Sequence, residues 1–173
     1  GDLVVDLAIG VPREDLRGQR DAGILQTMYG SGGQGLTAQG QVVSKATIGK
    51  RIAADERFGS SVAFGNFDEQ EQYRDLVCSA PGEDVNGKEK AGAVYLLPGG
   101  PGGIVSNATQ RITQASRGIE GRPAANDNFG TALLAGVFDG DDHLDLAIGI
   151  PNKDIGAKRD AGAVQIIDGN GRG

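Results

Sequence analysis

The residues best suited to chemistry are carboxylates set close together. In Val137-Phe138-Asp139-Gly140-Asp141-Asp142-His143-Leu144-Asp145, Asp139 and Asp141 flank a glycine and Asp145 follows four residues on. Alternate residues of a tightly turned loop can point inward together, and the glycine permits the turn. Oxygens gathered in this way suit a hard cation, since calcium takes six to eight oxygen ligands at about 2.3–2.6 Å. Two further acid-rich stretches occur: Asn66-Phe67-Asp68-Glu69-Gln70-Glu71-Gln72-Tyr73-Arg74-Asp75, and the start of the chain with Asp2 and Asp6. Asp, Asn and Gly also build ordinary turns by capping local amides. An isolated Asp-Gly-Asp is therefore weak evidence for metal, and placement decides. Catalytic sets are thin. The one histidine, His143, sits inside the acidic loop, so no Ser-His-Asp or Cys-His set can be assembled around it. The glycine-rich turns beginning at Gly30 and Gly99 are not followed by Lys-Ser or Lys-Thr, and they read as connections rather than phosphate loops.

The elements that must position these carboxylates are short strands. Thirty of the 173 residues are glycine, more than twice the rough 7% background. They are interleaved with alanine-rich and β-branched runs, the pattern of many tight turns between strands. The formal charge of −6 provides no basic footprint for nucleic acid. No apolar run approaches the roughly eighteen residues that suggest a membrane-spanning helix. The lone Cys78 forms no internal disulfide and reads as a small buried hydrophobe.

Self-similarity organises the chain. Asp6-Leu7-Ala8-Ile9-Gly10-Val11-Pro12 recurs as Asp75-Leu76-Val77-Cys78-Ser79-Ala80-Pro81 and as Asp145-Leu146-Ala147-Ile148-Gly149-Ile150-Pro151, at offsets of 69 and 70 residues. Ala22-Gly23, Ala91-Gly92 and Ala161-Gly162 keep a constant distance after each proline, and Phe58-Gly59 and Phe129-Gly130 precede the second and third copies. Each unit reads as four strands, in the second copy around 59–67, 75–79, 92–97 and 110–114, with 69–74 the one polar run able to make a helical turn. Such a unit cannot bury both faces alone, so it stacks on its neighbours, and radial stacking of four-stranded sheets is a propeller. Asp15, Asp84 and Asp154 recur in a second loop, where turn formation is the simpler role because Gly18, Gly87 and Gly156 follow closely.

The Phe-Gly pairs, together with Gly10-Val11-Pro12, Ser79-Ala80-Pro81 and Gly149-Ile150-Pro151 in the place of Gly-Ala-Pro, resemble the FG-GAP repeat family. The resemblance covers essentially the whole chain. It implies an all-β fold of propeller blades, each of four antiparallel strands, as in integrin α subunits and many bacterial surface and secreted proteins. About two and a half repeats are expected: 1–57 lacking its first strand, 58–128 complete, and 129–173 lacking its last strand. The acidic loop of the family is a calcium site, with side-chain ligands at loop positions one, three, five and nine and a backbone carbonyl at seven. Carried over, the third copy offers Asp139, Asp141 and Asp145 with the His143 carbonyl, while Val137 stands at the first ligand position without a side-chain oxygen. The second copy offers Asn66, Asp68 and Asp75 with Gln70 or Glu71, although Arg74 can offset the charge there without metal. The first retains Asp2 and Asp6.

The expected function is a calcium-stabilised extracellular scaffold, non-catalytic, whose loops bind a protein or glycan partner in adhesion. An accessory propeller region of a secreted hydrolase and a self-assembling structural module, in which partial blades complete one another between chains, are the alternatives.

Overall fold

A computed structural model describes residues 4–33, 35–37, 40–67, 72–141 and 143–169. Its strands in chain order are β1 (Leu7–Val11), β2 (Ile24–Met28), β3 (Gly30–Ser31), β4 (Gly35–Leu36), β5 (Val42–Val43), β6 (Val62–Gly65), β7 (Asp75–Ala80), β8 (Ala93–Leu97), β9 (Gly99–Gly100), β10 (Gly103–Ile104), β11 (Gln110–Ile112), β12 (Leu133–Gly136), β13 (Asp145–Ile150) and β14 (Ala163–Ile167). A single 3₁₀ turn, Ser106–Ala108, is the one helical element among the described residues. Of the polar run 69–74, residues 69–71 lie outside them, and 72–74 form no helical turn.

The strands form three antiparallel blades in sequence order, β1-β2-β5, then β6-β7-β8-β11, then β12-β13-β14, with β3-β4 and β9-β10 as two-residue ribbons. The repeated Asp-Leu segments supply β7 and β13, and in the first blade β1 begins one residue after Asp6. The fold is thus all-β and bladed, as the repeat predicts, and the four strands of the second copy fall on the predicted segments, with β7 running one residue beyond its own to Ala80.

All residues of β7 and β8 are buried because the second blade is covered on both faces. On one face Leu76, Cys78, Tyr95 and Leu97 pack with Leu25, Val43 and Ile48 of the first blade. On the other, Val77, Val94 and Leu96 meet Leu146, Ile148 and Ile150 of the third. Period-two alternation along each strand sends successive side chains to the two interfaces.

Phe58 and Phe129, both fully buried, join neighbouring blades. The amides of Asp55, Arg57 and Phe58 donate to the carbonyls of Arg20, Asp21 and Ala22 at 2.8, 3.0 and 3.0 Å. One blade on, Asn126, Asn128 and Phe129 donate to Glu89, Lys90 and Ala91 at 2.8, 3.1 and 3.0 Å. The approach is close enough to require glycine beneath it: a Cβ on Gly23 would lie 2.1 Å from the Phe58 carbonyl oxygen, and one on Gly92 2.3 Å from that of Phe129. Phe58 also meets Tyr95 edge to face, with ring centroids 5.5 Å apart.

Each interface contains a buried ionic key. Between the first and second blades, Lys45 Nζ reaches Glu56 Oε1 at 2.5 Å and Glu83 Oε2 at 2.8 Å, while Arg111 and the Tyr95 hydroxyl also bind Glu83, both at 2.6 Å. Burial, and next to it the Glu83 charge, push the Tyr95 phenol well above its ordinary pKa, so it remains a donor. Between the second and third blades the acid persists as Asp127, in register with Glu56, but the cation has moved. Gln114 stands where Lys45 stood, and Lys153 stands in register with Glu83. Lys153 Nζ lies 2.8 Å from Asp127 Oδ2. With its amide turned to suit both neighbours, Gln114 completes the set, its nitrogen donating to Asp127 Oδ2 at 2.7 Å and its oxygen accepting from Lys153 at 3.2 Å.

Candidate metal centre

The acidic loop of the third blade joins β12 to β13. Gly140, at φ 88°, takes the left-handed conformation between Asp139 and Asp141, and the two aspartates fold the loop onto itself. The Asp141 amide donates to Asp139 Oδ1 at 3.0 Å, and the His143 amide donates to Asp141 Oδ1 at 2.7 Å. The His143 amide, ahead of a weaker bond from its ring, holds the Asp141 carboxyl below its ordinary pKa. An ionised carboxylate is the form a cation needs.

A third carboxylate joins them from outside the loop. Asp168 directly follows β14, whose Ile167 pairs with Leu146 at the start of β13, so it arrives at the same blade end. One oxygen each of Asp139, Asp141 and Asp168 lie within 4.8 Å of one another. That spread matches oxygens facing a common cation across roughly twice a 2.3–2.6 Å bond. The donor set is therefore chemically suited to a hard divalent ion. Asp168 was not among the residues expected from sequence. In register it replaces Pro98 and Tyr29, so the repeat pattern itself gives no sign of it.

Asp145 stands apart from that cluster. It is buried, its Oδ1 accepts from the Gly169 amide at 3.1 Å, and its Oδ2 accepts from Phe138 at 2.7 Å. Asp75 does the same in the second blade, accepting from Gly99 and Phe67, both at 2.9 Å. In the first blade Asp6 Oδ1 accepts from Gly30 at 2.9 Å. The repeated aspartate is thus a carboxylate clasp that ties the end of one hairpin strand to the start of its partner. The clue was a glycine placed 24 residues after each aspartate. A Cβ on Gly99 or Gly169 would lie 2.3 or 2.1 Å from the carbonyl oxygen of Arg74 or Leu144.

In the second blade Asn66 has a buried Oδ1 with no hydrogen-bond partner among the described residues. An orphaned acceptor costs about 1–3 kcal/mol, and a cation there would relieve it. Asp68 and Gln70, with Asp2 of the first copy, lie outside the described residues. Val137, which carries no side-chain oxygen, is exposed. Asp15, Asp84 and Asp154 each accept, at 2.9 Å, the amide six residues ahead, closing the second loop as turn-formers.

Stacked antiparallel blades, an acidic hairpin loop and a Phe-Gly pair docked on the preceding blade define an integrin-alpha-like β-propeller segment. Residues 129–167 match the FG-GAP repeat. Integrin alpha pat-2 of Caenorhabditis briggsae is 37% identical over 94 residues, 54% of this chain and 7% of that protein. Integrin alpha-PS2 of Drosophila melanogaster is 28% identical over 159 residues, 89% of this chain and 11% of that protein. Integrin alpha-5 of Xenopus laevis is 35% identical over 95 residues, 54% of this chain and 8% of that protein. The chain thus spans only a small part, 7–11%, of the length of these relatives. Among the described residues no helix is long and apolar enough to cross a membrane.

Proposed function

We propose that this segment is a calcium-stabilised, non-catalytic β-propeller scaffold, displayed outside the cell, whose exposed loops bind a protein or glycan partner in adhesion. The observation that carries the reading is the convergence of Asp139, Asp141 and Asp168 at one blade end. The orphaned Asn66 oxygen supports a second site. In this reading 58–128 is the complete repeat and 1–57 and 129–173 are partial ones. The third-blade site would be held by Asp139, Asp141 and Asp168 with the His143 carbonyl, Asp145 bracing the loop behind them. Asn66, Asp68 and Gln70 would serve the second site with Asp75 bracing it, and Asp2 the first with Asp6 bracing it, as Asp145 does in the third. A bound calcium supplies neutralisation of clustered carboxylates and so ties the hairpin loop to the blade. The adhesive role rests on the likeness to integrin alpha chains.

Calorimetric titration of the chelator-stripped chain with calcium tests the metal part. Saturable binding is expected, weakened by Asp141→Ala and by Asp168→Ala. Absence of binding at millimolar calcium would contradict it.

A further inference from the structure

We infer that the cleft at the junction of the second and third blades is a subsite for an acidic sugar unit, one that carries a carboxylate. The inference rests on the adhesive reading above and deepens it, naming a place and a ligand class. The cleft is an open depression of about 400 Å³, walled by the tip of the β7–β8 loop and by the linker from β11 to β12. Small-ligand sites span about 300–1,000 Å³.

It exists because the repeat is broken there. The amides of Ala53 and Ala124 bind the carboxylates of Glu56 and Asp127 alike, which fixes the register of the two linkers. Counted from that match, the stretch from Gly118 to Ala124 is two residues longer than its counterpart from Gly49 to Ala53. Arg117, exposed, replaces Ile48, which in the first junction is buried in the core between blades. Gln114 replaces Lys45 and leaves an uncharged amide on the cleft wall. Gly121, at φ 89°, turns the added residues past that amide, and a Cβ there would lie 3.5 Å from it. Departures from an otherwise consistent pattern concentrate where function overrides packing.

The walls are held in place. Asn86 and Gly87 both take left-handed backbone, at φ 51° and 76°, and Val85 and Lys88 exchange backbone bonds at 3.0 and 2.9 Å, a tight hairpin turn that fixes Lys88 at the rim. Across the cleft, Lys153 Nζ donates to the Arg122 carbonyl at 2.6 Å, and Ser116 Oγ accepts the Thr113 amide at 3.0 Å. Lys88 and Arg122 are exposed lining residues, and none of the described lining residues is an acid. The cleft is therefore cationic in a chain of net charge −6. Two cations suit a carboxylate, with charge-assisted bonds the strongest available. Asn86 and Ser116 offer partners for sugar hydroxyls, and Ile119 and Pro123 an apolar patch for the C–H face of a ring. An acidic protein side chain would use the cations and leave the rest of the lining without a role.

The test follows the amide chemical shifts of the full chain in calcium during titration with digalacturonate, with the neutral galactose disaccharide of the same linkage, and with a tetra-aspartate peptide. Saturable binding of digalacturonate is expected, with shifts concentrated at 86–88 and 114–123. The neutral disaccharide should bind roughly tenfold more weakly, and Lys88→Gln or Arg122→Gln should each weaken digalacturonate by roughly fivefold to tenfold. Both substitutions lie at exposed positions, so melting should be unchanged. Failure to bind at millimolar digalacturonate, or binding indifferent to the two cations or to the sugar's charge, would overturn the proposal. Peptide binding as tight as that of digalacturonate, with the same shifts, would assign the cleft to an acidic protein segment and overturn it equally. Binding of either ligand elsewhere on the chain would overturn the cleft while keeping the ligand-binding reading. Calcium-dependent melting of the same samples reads the scaffold separately, so sugar binding lost with calcium stabilisation intact removes this subsite alone.

Discussion

Replacing Lys153 by glutamate removes the cation from the interface between the second and third blades and sets a second acid beside Asp127. Asp127 is 2% exposed, and its Oδ2 takes Lys153 at 2.8 Å and the Ala124 amide at 2.8 Å. The side chain therefore has little room to reach water. Removing one partner of a buried pair costs about 3–5 kcal/mol, chiefly because the remaining charge is left uncompensated. In a chain of this size each kcal/mol moves the melting temperature by about 2–4 °C, so Lys153→Glu should lower it by roughly 6–20 °C. The first interface shows how to repair the damage, since there Lys45 bridges Glu56 and Glu83 from the position Gln114 occupies. Adding Gln114→Lys to Lys153→Glu rebuilds that arrangement, and the double variant should recover at least about 2 kcal/mol over Lys153→Glu alone, within the range of measured couplings. Urea unfolding of the four proteins of the cycle, with melting followed by circular dichroism, provides the numbers. A Lys153→Glu loss below about 1 kcal/mol, or a double variant no more stable than Lys153→Glu, would refute the reasoning that buried charge keys the blades together.

Truncating either inter-blade phenylalanine, Phe58→Ala or Phe129→Ala, should cost about 3–5 kcal/mol in the same unfolding assay; a loss below 1 would mean the blades are not joined there. The carboxylate clasp should be graded by burial: Asp75→Ala and Asp145→Ala each leave two amides unpaired and should cost about 2–4 kcal/mol, whereas exposed Asp6→Ala should cost under about 1. Equal losses at all three positions would contradict the clasp. Cys78 is fully buried and burial pushes its thiol well above the ordinary range. A thiol reagent at mildly alkaline pH should therefore label the chain only as fast as it unfolds, and prompt labelling of the native protein would contradict the packing of the second blade.

The bladed fold was legible because repetition is a global signal: Asp-Leu, the proline six residues after each Asp, Ala-Gly and Phe-Gly in register leave little freedom in strand placement. The site was only half legible. Spacing places Asp139 and Asp141 together, but Asp168 comes from the far strand of the hairpin and only the β13–β14 pairing brings it in. Spacing alone also does not separate a ligand from a clasp, because Asp75 and Asp145 carry oxygens in the ligand register while their bonds go to backbone amides. The ionic keys were hidden for a related reason. Their members, such as Lys45, Glu56 and Glu83, lie in three separate segments, and the exchange of Lys45 for Gln114 and Glu83 for Lys153 erases the repeat at the positions that matter.

The most direct measurement is the melting temperature of the native chain and of Asp141→Ala in saturating calcium and in chelator. Calcium at a hundred times its dissociation constant should add about 2.7 kcal/mol to a chain that binds one ion only when folded. The native chain should melt several degrees higher in calcium, and Asp141→Ala should lose most of that gain. Identical melting in calcium and chelator would contradict a calcium-stabilised scaffold.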